Sequence, residues 1–208
     1  MELSIEQSRA MLVAMSQAII DNIDVLTKAD QAIGDGDHGV GMARGFRAAK
    51  DAIEAAEPAT VGDLFKVGGS AVMATSGGAS GAIFGILLKA GAKENPGDTL
   101  DARGFAGWLS AASTQIQTRG KAQPGNKTMV DAIVPAAEQA AAAVGDGLVA
   151  TAEAAAAGAH QGKDATVDMI ATFGKAKSLG GRSKGHPDPG AISTTILLDT
   201  ALEYIESQ

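Results

Sequence analysis

Ile20-Asp-Asn-Ile-Asp-Val-Leu-Thr-Lys-Ala-Asp30-Gln-Ala-Ile-Gly-Asp-Gly-Asp-His-Gly39 joins a helical approach to an acidic segment broken by glycines. Asp30, Asp35 and Asp37 place three carboxylates within eight residues, and Gly34, Gly36 and Gly39 free the backbone to curl and aim them at one point. Such acids repel one another unless a cation lies between them. Carboxylate oxygens suit Mg²⁺, which keeps waters and shares its remaining positions with substrate phosphates. Three ligands are generous for one such ion and reasonable for two. The plainer reading is a solvated helix connection, since Asp and Gly are ordinary turn residues.

Rival motifs fail on the same residues. Gly34-Asp-Gly-Asp-His-Gly39 formally fits GxGxxG, but a dinucleotide fingerprint needs a preceding strand and bare amides facing a pyrophosphate, which Asp35 and Asp37 would repel. An EF-hand counted from Asp35 meets Gly39 and Phe46 where it needs ligands.

Outward from this segment, helical periodicity recurs with short Gly/Pro punctuation. It predicts eight helices, at about 4 to 28, 38 to 56, 60 to 74, 79 to 93, 101 to 119, 128 to 143, 146 to 172 and 190 to 206. Short connections imply antiparallel neighbours, so the expected fold is all-α, an eight-helix up-and-down bundle forming a single domain over 1–208. In the first helix Met11, Met15, Ala18, Ile19 and Val25 form one apolar stripe. Thr60 with Asp63 reads as an N-cap arrangement. Hydrophobic content of 45% with only 3% aromatics suits helices packed through small side chains. A net charge of −7 argues against a broad nucleic-acid surface and makes bound cations more necessary for an anionic ligand. The absence of cysteine removes disulfides and thiolate metal sites. No basic leader or long apolar run appears, so a cytoplasmic protein without membrane contact is expected.

Other segments could complete a phosphoryl site. Ser76-Gly-Gly-Ala-Ser-Gly81 precedes an apolar helix whose N-terminal amides could meet a phosphate, although Ser80 could equally be an N-cap. Gly120-Lys-Ala-Gln-Pro-Gly-Asn-Lys-Thr128 is no Walker loop, because Asn126 stands where that motif needs Lys; Thr128 is a candidate N-cap and Met129 could be core or cover a base. Phe173 to Gly190 is long for a bundle connection and gathers Lys175, Lys177, Arg182 and Lys184. It is either a solvated basic loop or the positive side of a phosphoryl site. Asp188 reads as an N-cap with Pro189 in the first turn, His186 as a candidate site contact, and His160 as an incidental surface residue.

In order and spacing, Ile33-Gly-Asp-Gly-Asp-His-Gly39, Met42-Ala-Arg-Gly-Phe46, Gly77-Gly-Ala-Ser-Gly81, Arg119 to Met129 and Gly185-His-Pro-Asp-Pro-Gly-Ala191 resemble the nucleotide-binding L subunits of bacterial dihydroxyacetone kinase, the DhaL or DAK2-domain family. The resemblance implies an eight-helix barrel whose loops at one end hold ADP or ATP with two Mg²⁺. Asp30, Asp35 and Asp37 would hold the metals. His38, Gly39, Val40, Gly41, Ala79 and Ser80 would meet the phosphates, Gly120 and Met129 would lie near the nucleoside, and Asp188, Pro189 and Gly190 would close the pocket. Lys175 and Arg182 are the expected phosphoryl contacts. The acceptor ketose would sit on a separate K subunit, with an M-type phosphotransferase-system protein as a candidate donor. Self-association into a homodimer is a further partner expectation. The chain departs from the family pattern at Lys175, Asn126 and Gly41, which leaves erythrulose open as an acceptor. An Asp-nucleophile phosphohydrolase and a non-catalytic regulatory subunit are the competing classes.

Overall fold

Ser4 opens the first helix in the computed structural model, which describes residues 1–208: its hydroxyl accepts the Gln7 amide while the Gln7 side chain accepts the Ser4 amide. This reciprocal cap satisfies two amides that a helix start would otherwise leave unpaired. Nine α-helices follow, α1 Ile5–Asp21, α2 Ile23–Ile33, α3 His38–Glu54, α4 Val61–Thr75, α5 Gly78–Glu94, α6 Ala102–Gly120, α7 Val130–Ala143, α8 Leu148–Ala165 and α9 Pro189–Glu206. The two short strands, β1 Leu3–Ser4 and β2 Thr99–Leu100, pair antiparallel and tie the N-terminus to the α5–α6 connection.

The expected barrel forms. Successive helices from α3 to α9 pack side by side, and α1 closes the ring against both α3 and α9. The eight staves are therefore α1 and α3 to α9, with α2 laid over α3. Up-and-down alternation puts the connections before α3, α5, α7 and α9 at one end. The Thr60 cap forms as expected, its hydroxyl accepting the Asp63 amide and Asp63 answering at the Thr60 amide. Many small side chains and a few aromatic ones fill the core: Trp108 packs against Phe65 at 4.9 Å and edge-on to Phe105 at 5.4 Å, and its indole N–H donates to the Leu87 carbonyl. No single helix is long and apolar enough to cross a membrane.

Two expected helices are corrected. The first, 4 to 28, is two helices bent by 56° at Asn22, whose side-chain amide donates to the Ala18 carbonyl and ends the first ladder. The bend breaks the apolar stripe: Val25 is exposed, Ala18 is half-buried, and Leu26 enters the core instead. The second, 146 to 172, leaves α geometry after Ala165, because the Thr166 hydroxyl bonds back to the Lys163 carbonyl and a 3-10 turn, Thr166–Asp168, takes over.

α7 and α8 approach through glycine. A Cβ at Gly162 would lie 1.9 Å from the Asp131 carbonyl oxygen, which belongs to a helical backbone with no room to yield. Gly162→Ala should therefore destabilise the protein by about 1–3 kcal/mol despite the better helix propensity of alanine. At about 2–4 °C per kcal/mol for a chain of this size, the loss reads out in thermal unfolding; an unchanged melting temperature would contradict the packing described.

Candidate functional site

The acidic segment begins on a helix. Asp30 sits in the last turn of α2, which runs on to Ile33, and Gly34 to Asp37 make the turn into α3. Gly36 has φ +78°, a left-handed conformation that favours glycine. Gly39 serves packing rather than the turn: a Cβ there would lie 2.2 Å from the Thr27 hydroxyl and 2.4 Å from the Ile23 carbonyl oxygen, so α3 could not rest on α2. The Asp30 carboxylate accepts the His38 amide at 3.1 Å and thereby caps α3 from the preceding helix. Asp37, at the N-cap position, makes no capping bond and turns its carboxylate to Lys175 instead.

Oxygens of Asp30, Asp35 and Asp37 lie within 4.8 Å of one another, the spacing of a cation site. The Lys175 ammonium donates to Asp35 and, at 2.9 Å, to Asp37. Lys175 therefore stands where a divalent ion would neutralise the pair, and the all-oxygen donor set fits Mg²⁺. The Lys175 hydrogen bond holds the Asp35 carboxyl below the usual carboxylate range, and the two acids push the Lys175 ammonium up.

A cavity of about 570 Å³ opens beside this cluster. Asp30, Asp37 and Ser80 form part of one side; Ile83, Ile116, Ala122 and Met129 give it an apolar wall. Four helices, α3, α5, α7 and α9, begin here, so their positive dipole ends, with the first-turn amides that no cap takes, face the space. Polyanion, cation and flat apolar group each find a complementary surface.

Of the expected contacts, His38, Val40, Gly41, Ala79, Ser80, Gly120, Met129, Lys175, Asp188, Pro189 and Gly190 all line this cavity. Gly39 faces α2, and Asp35 meets the site through the carboxylate cluster. Arg182 is exposed in the 3-10 turns over Lys175–Ser183 and lies outside the cavity wall. Ser80 is in the first turn of α5, whose N-cap is Gly77. Thr128 caps from one position before the N-cap residue Met129, its hydroxyl accepting the Val130 amide. The Asp188 cap forms as read, its carboxylate accepting the Ala191 amide at 2.8 Å. Burial raises the Asp188 carboxyl to about 7, against the pull of the Ala191 and Gly190 amides and Lys127. His160 is half-exposed and pairs with Asp199 at 2.9 Å, away from the cavity.

Three contributors carry no site role in the sequence reading. Lys127 is buried in a left-handed conformation, φ +59°, and its ammonium donates to the carbonyls of Thr166 and His186. It pins the α8–α9 connection to the α6–α7 turn, and His186 joins the site through that carbonyl. Burial lowers the Lys127 ammonium, opposed by Asp188, Asp131 and Asp168. Arg44 donates to the Thr75 and Ser76 carbonyls, while the Ser76 hydroxyl donates to the Gly41 carbonyl at 2.8 Å. This latch holds the glycine turn before α5 against α3, beside the acidic cluster. Ser193, the third, supports His38 from α9.

The family profile that matches residues 32–203 is described as the DAK2 domain. The chain is 38% identical over 187 residues to the PEP-dependent dihydroxyacetone kinase 1, ADP-binding subunit DhaL of Listeria innocua, covering 90% of each chain. It is 36% identical over 207 residues to the L-erythrulose kinase of Pectobacterium atrosepticum, covering 95% of this chain and 34% of that one. The structure also superposes on the C. freundii dihydroxyacetone kinase solved with AMP-PNP and Mg²⁺, with a TM-score of 0.70 at 22% identity, over 94% of this chain and 33% of that one. The likeness to that kinase concerns the fold.

Lys175→Met should let Asp35 titrate at higher pH in protein freed of divalent ions. A depressed carboxyl contributes stability above the ordinary carboxylate range and loses it as pH falls through the depressed value, so removing Lys175 removes that contribution. Carbon-13 NMR of the carboxylate follows the shift; an unchanged Asp35 titration would show that the ion pair does not hold it.

Proposed function

The chain belongs to the DAK2-domain family, and from that premise we propose that it is the nucleotide-binding subunit of a kinase for small ketoses, holding ADP or ATP through Mg²⁺. The observation that carries this reading is the joining of the Asp30, Asp35 and Asp37 carboxylates to a cavity with an apolar far wall and four helix N-termini around it. A nucleoside suits the wall formed by Met129, Ile116 and Ile83. Its phosphates suit the α3 and α5 starts, and Asp30, Asp35 and Asp37 would hold two Mg²⁺.

Phosphoryl transfer needs positioning and charge neutralisation more than it needs a protein nucleophile. Bound Mg²⁺ would neutralise the phosphate oxygens and draw electron density from the transferring group. The chain's own groups would hold and orient: the Gly77–Ser80 turn and the α3 amides that follow the Asp30-capped His38 would take the phosphates, and Met129 would pack on the base. Lys175, released from Asp35 and Asp37 when metal takes its place, would turn its charge toward the transferring group. Arg182 would join only by a movement of its 3-10 turn. Asp35 and Asp37 act as ligands in this scheme. A phosphohydrolase with an Asp nucleophile would ask one of them to attack phosphorus while surrounded by like charge.

The acceptor, dihydroxyacetone or erythrulose, would be presented by a separate K subunit docked at the cavity mouth. An M-type phosphotransferase protein would recharge bound ADP, and a homodimer would leave that mouth free. The reading places the protein in the cytoplasm, with neither nucleic acid nor membrane as partner.

Calorimetric titration with ADP tests the core of this reading. Binding should need Mg²⁺ and weaken at least about tenfold, ~1.4 kcal/mol, in Asp35→Ala. Equal binding without metal would overturn the metal role. Nucleotide binding with no phosphoryl transfer to either ketose, after reconstitution with K subunits, would overturn the kinase role in favour of regulation.

A further inference from the structure

His38 is 7% exposed, at the start of α3 between two serines from other helices. Its Nδ1 is 3.0 Å from the Ser80 hydroxyl of α5, and its Nε2 is 2.8 Å from the Ser193 hydroxyl of α9. Ser193 in turn donates to the Pro189 carbonyl at 3.1 Å. With the Ser193 proton on the Pro189 carbonyl, the direction of the others follows. A carbonyl cannot donate, so the Ser193 proton is committed to Pro189, and the proton between Ser193 and the ring belongs to Nε2. A neutral imidazole has one N–H, which leaves Nδ1 bare to accept the Ser80 proton. Ser80 thus points its proton inward and its lone pairs at the cavity.

We infer that His38 is a positioning residue that sets the direction of the Ser80 hydroxyl and reverses it when an anionic phosphate arrives. The inference rests on the nucleotide reading above and adds a role for the imidazole. A phosphate oxygen offers no proton, so Ser80 binds it only by turning its own proton outward. The ring then donates from Nδ1 to Ser80, Ser193 donates to Nε2, and the Pro189 carbonyl is released. No proton is gained or lost; the imidazole exchanges one tautomer for the other. The cost falls at the first residue of α9, where the Pro189 carbonyl loses the Ser193 hydroxyl, beside the Asp188 cap. Filling of the phosphate end is thereby transmitted to the helix start that closes the other side of the cavity.

Nitrogen-15 NMR of histidine-labelled protein reads the tautomer directly, with the His38 signals assigned by their loss in His38→Gln. The nucleotide-free protein should show the Nε2–H form, and saturation with ADP and Mg²⁺ should convert it to Nδ1–H. The same tautomer in both states overturns the inference. Two substitutions separate positioning from packing. Asn places an amide where Nδ1 was and can accept from or donate to Ser80, whereas Gln reaches the Nε2 position and serves only Ser193. His38→Gln should weaken ADP binding about tenfold, the scale of a lost hydrogen bond to a charged group, and His38→Asn should stay within about threefold of the wild type. Equal losses in both would show a packing role and overturn the inference. A wild-type protein that binds no ADP would overturn the nucleotide reading itself, an outcome distinct from binding with an unmoved tautomer.

Discussion

Three carboxylates whose oxygens lie within 4.8 Å of one another repel, and the surrounding structure is arranged around that repulsion. Asp30 is held by the rigid end of α2 and committed to the first amide of α3. Asp35 and Asp37 sit in the four-residue turn that follows, where Lys175 from a distant connection neutralises them. An exposed ion pair of this kind contributes little to folding stability, so its significance is electrostatic. The cluster demands a cation, and either the lysine or a divalent ion supplies it. In a chain of net charge −7, three acids stand together here, and Lys175 offsets their repulsion.

The barrel gives that cluster its setting. Up-and-down alternation delivers four helix starts and four helix ends to the same rim, and the starts turn their positive dipole ends toward the cavity. Polar latches then fix the loops to one another. Arg44 and Ser76 tie the α4–α5 turn to α3, and Lys127 ties the α6–α7 turn to the chain entering α9. His38 joins α3, α5 and α9 through two serines. These three cross-links, each built on a buried or partly buried polar group, hold the glycine-rich loops of the rim to their neighbours.

Much of this was legible in the chain, for identifiable reasons. Acids at positions 30, 35 and 37 declare themselves because short spacing forces proximity whatever the fold. The eight staves follow from periodicity, and the Thr60 and Asp188 caps from local chemistry that needs no tertiary partner. The bend at Asn22 was hidden because the apolar spacing from Ile19 to Leu26 runs through it unbroken; a side-chain bond to Ala18 creates it. Lys127 reads as a failed Walker lysine, and only folding reveals that it spans to Thr166 and His186. Ser193 lies 155 residues from His38, and nothing in its neighbourhood marks it. Arg182 shows the converse: a charge in a promising loop, placed by the fold on the outer surface.

Paramagnetic NMR with Mn²⁺ in place of Mg²⁺ tests the central claim most directly, because it locates the ion and needs no turnover. In the presence of ADP, amides of 34–41 and 76–82 should broaden strongly, and those of 120–129 and 188–191 more weakly. The far-end connections at 55–60, 95–101 and 144–147 should stay sharp, and Asp35→Ala should abolish the effect. Broadening centred on other acids, or none at all when ADP is bound, would contradict the assignment of this rim as the metal and nucleotide site.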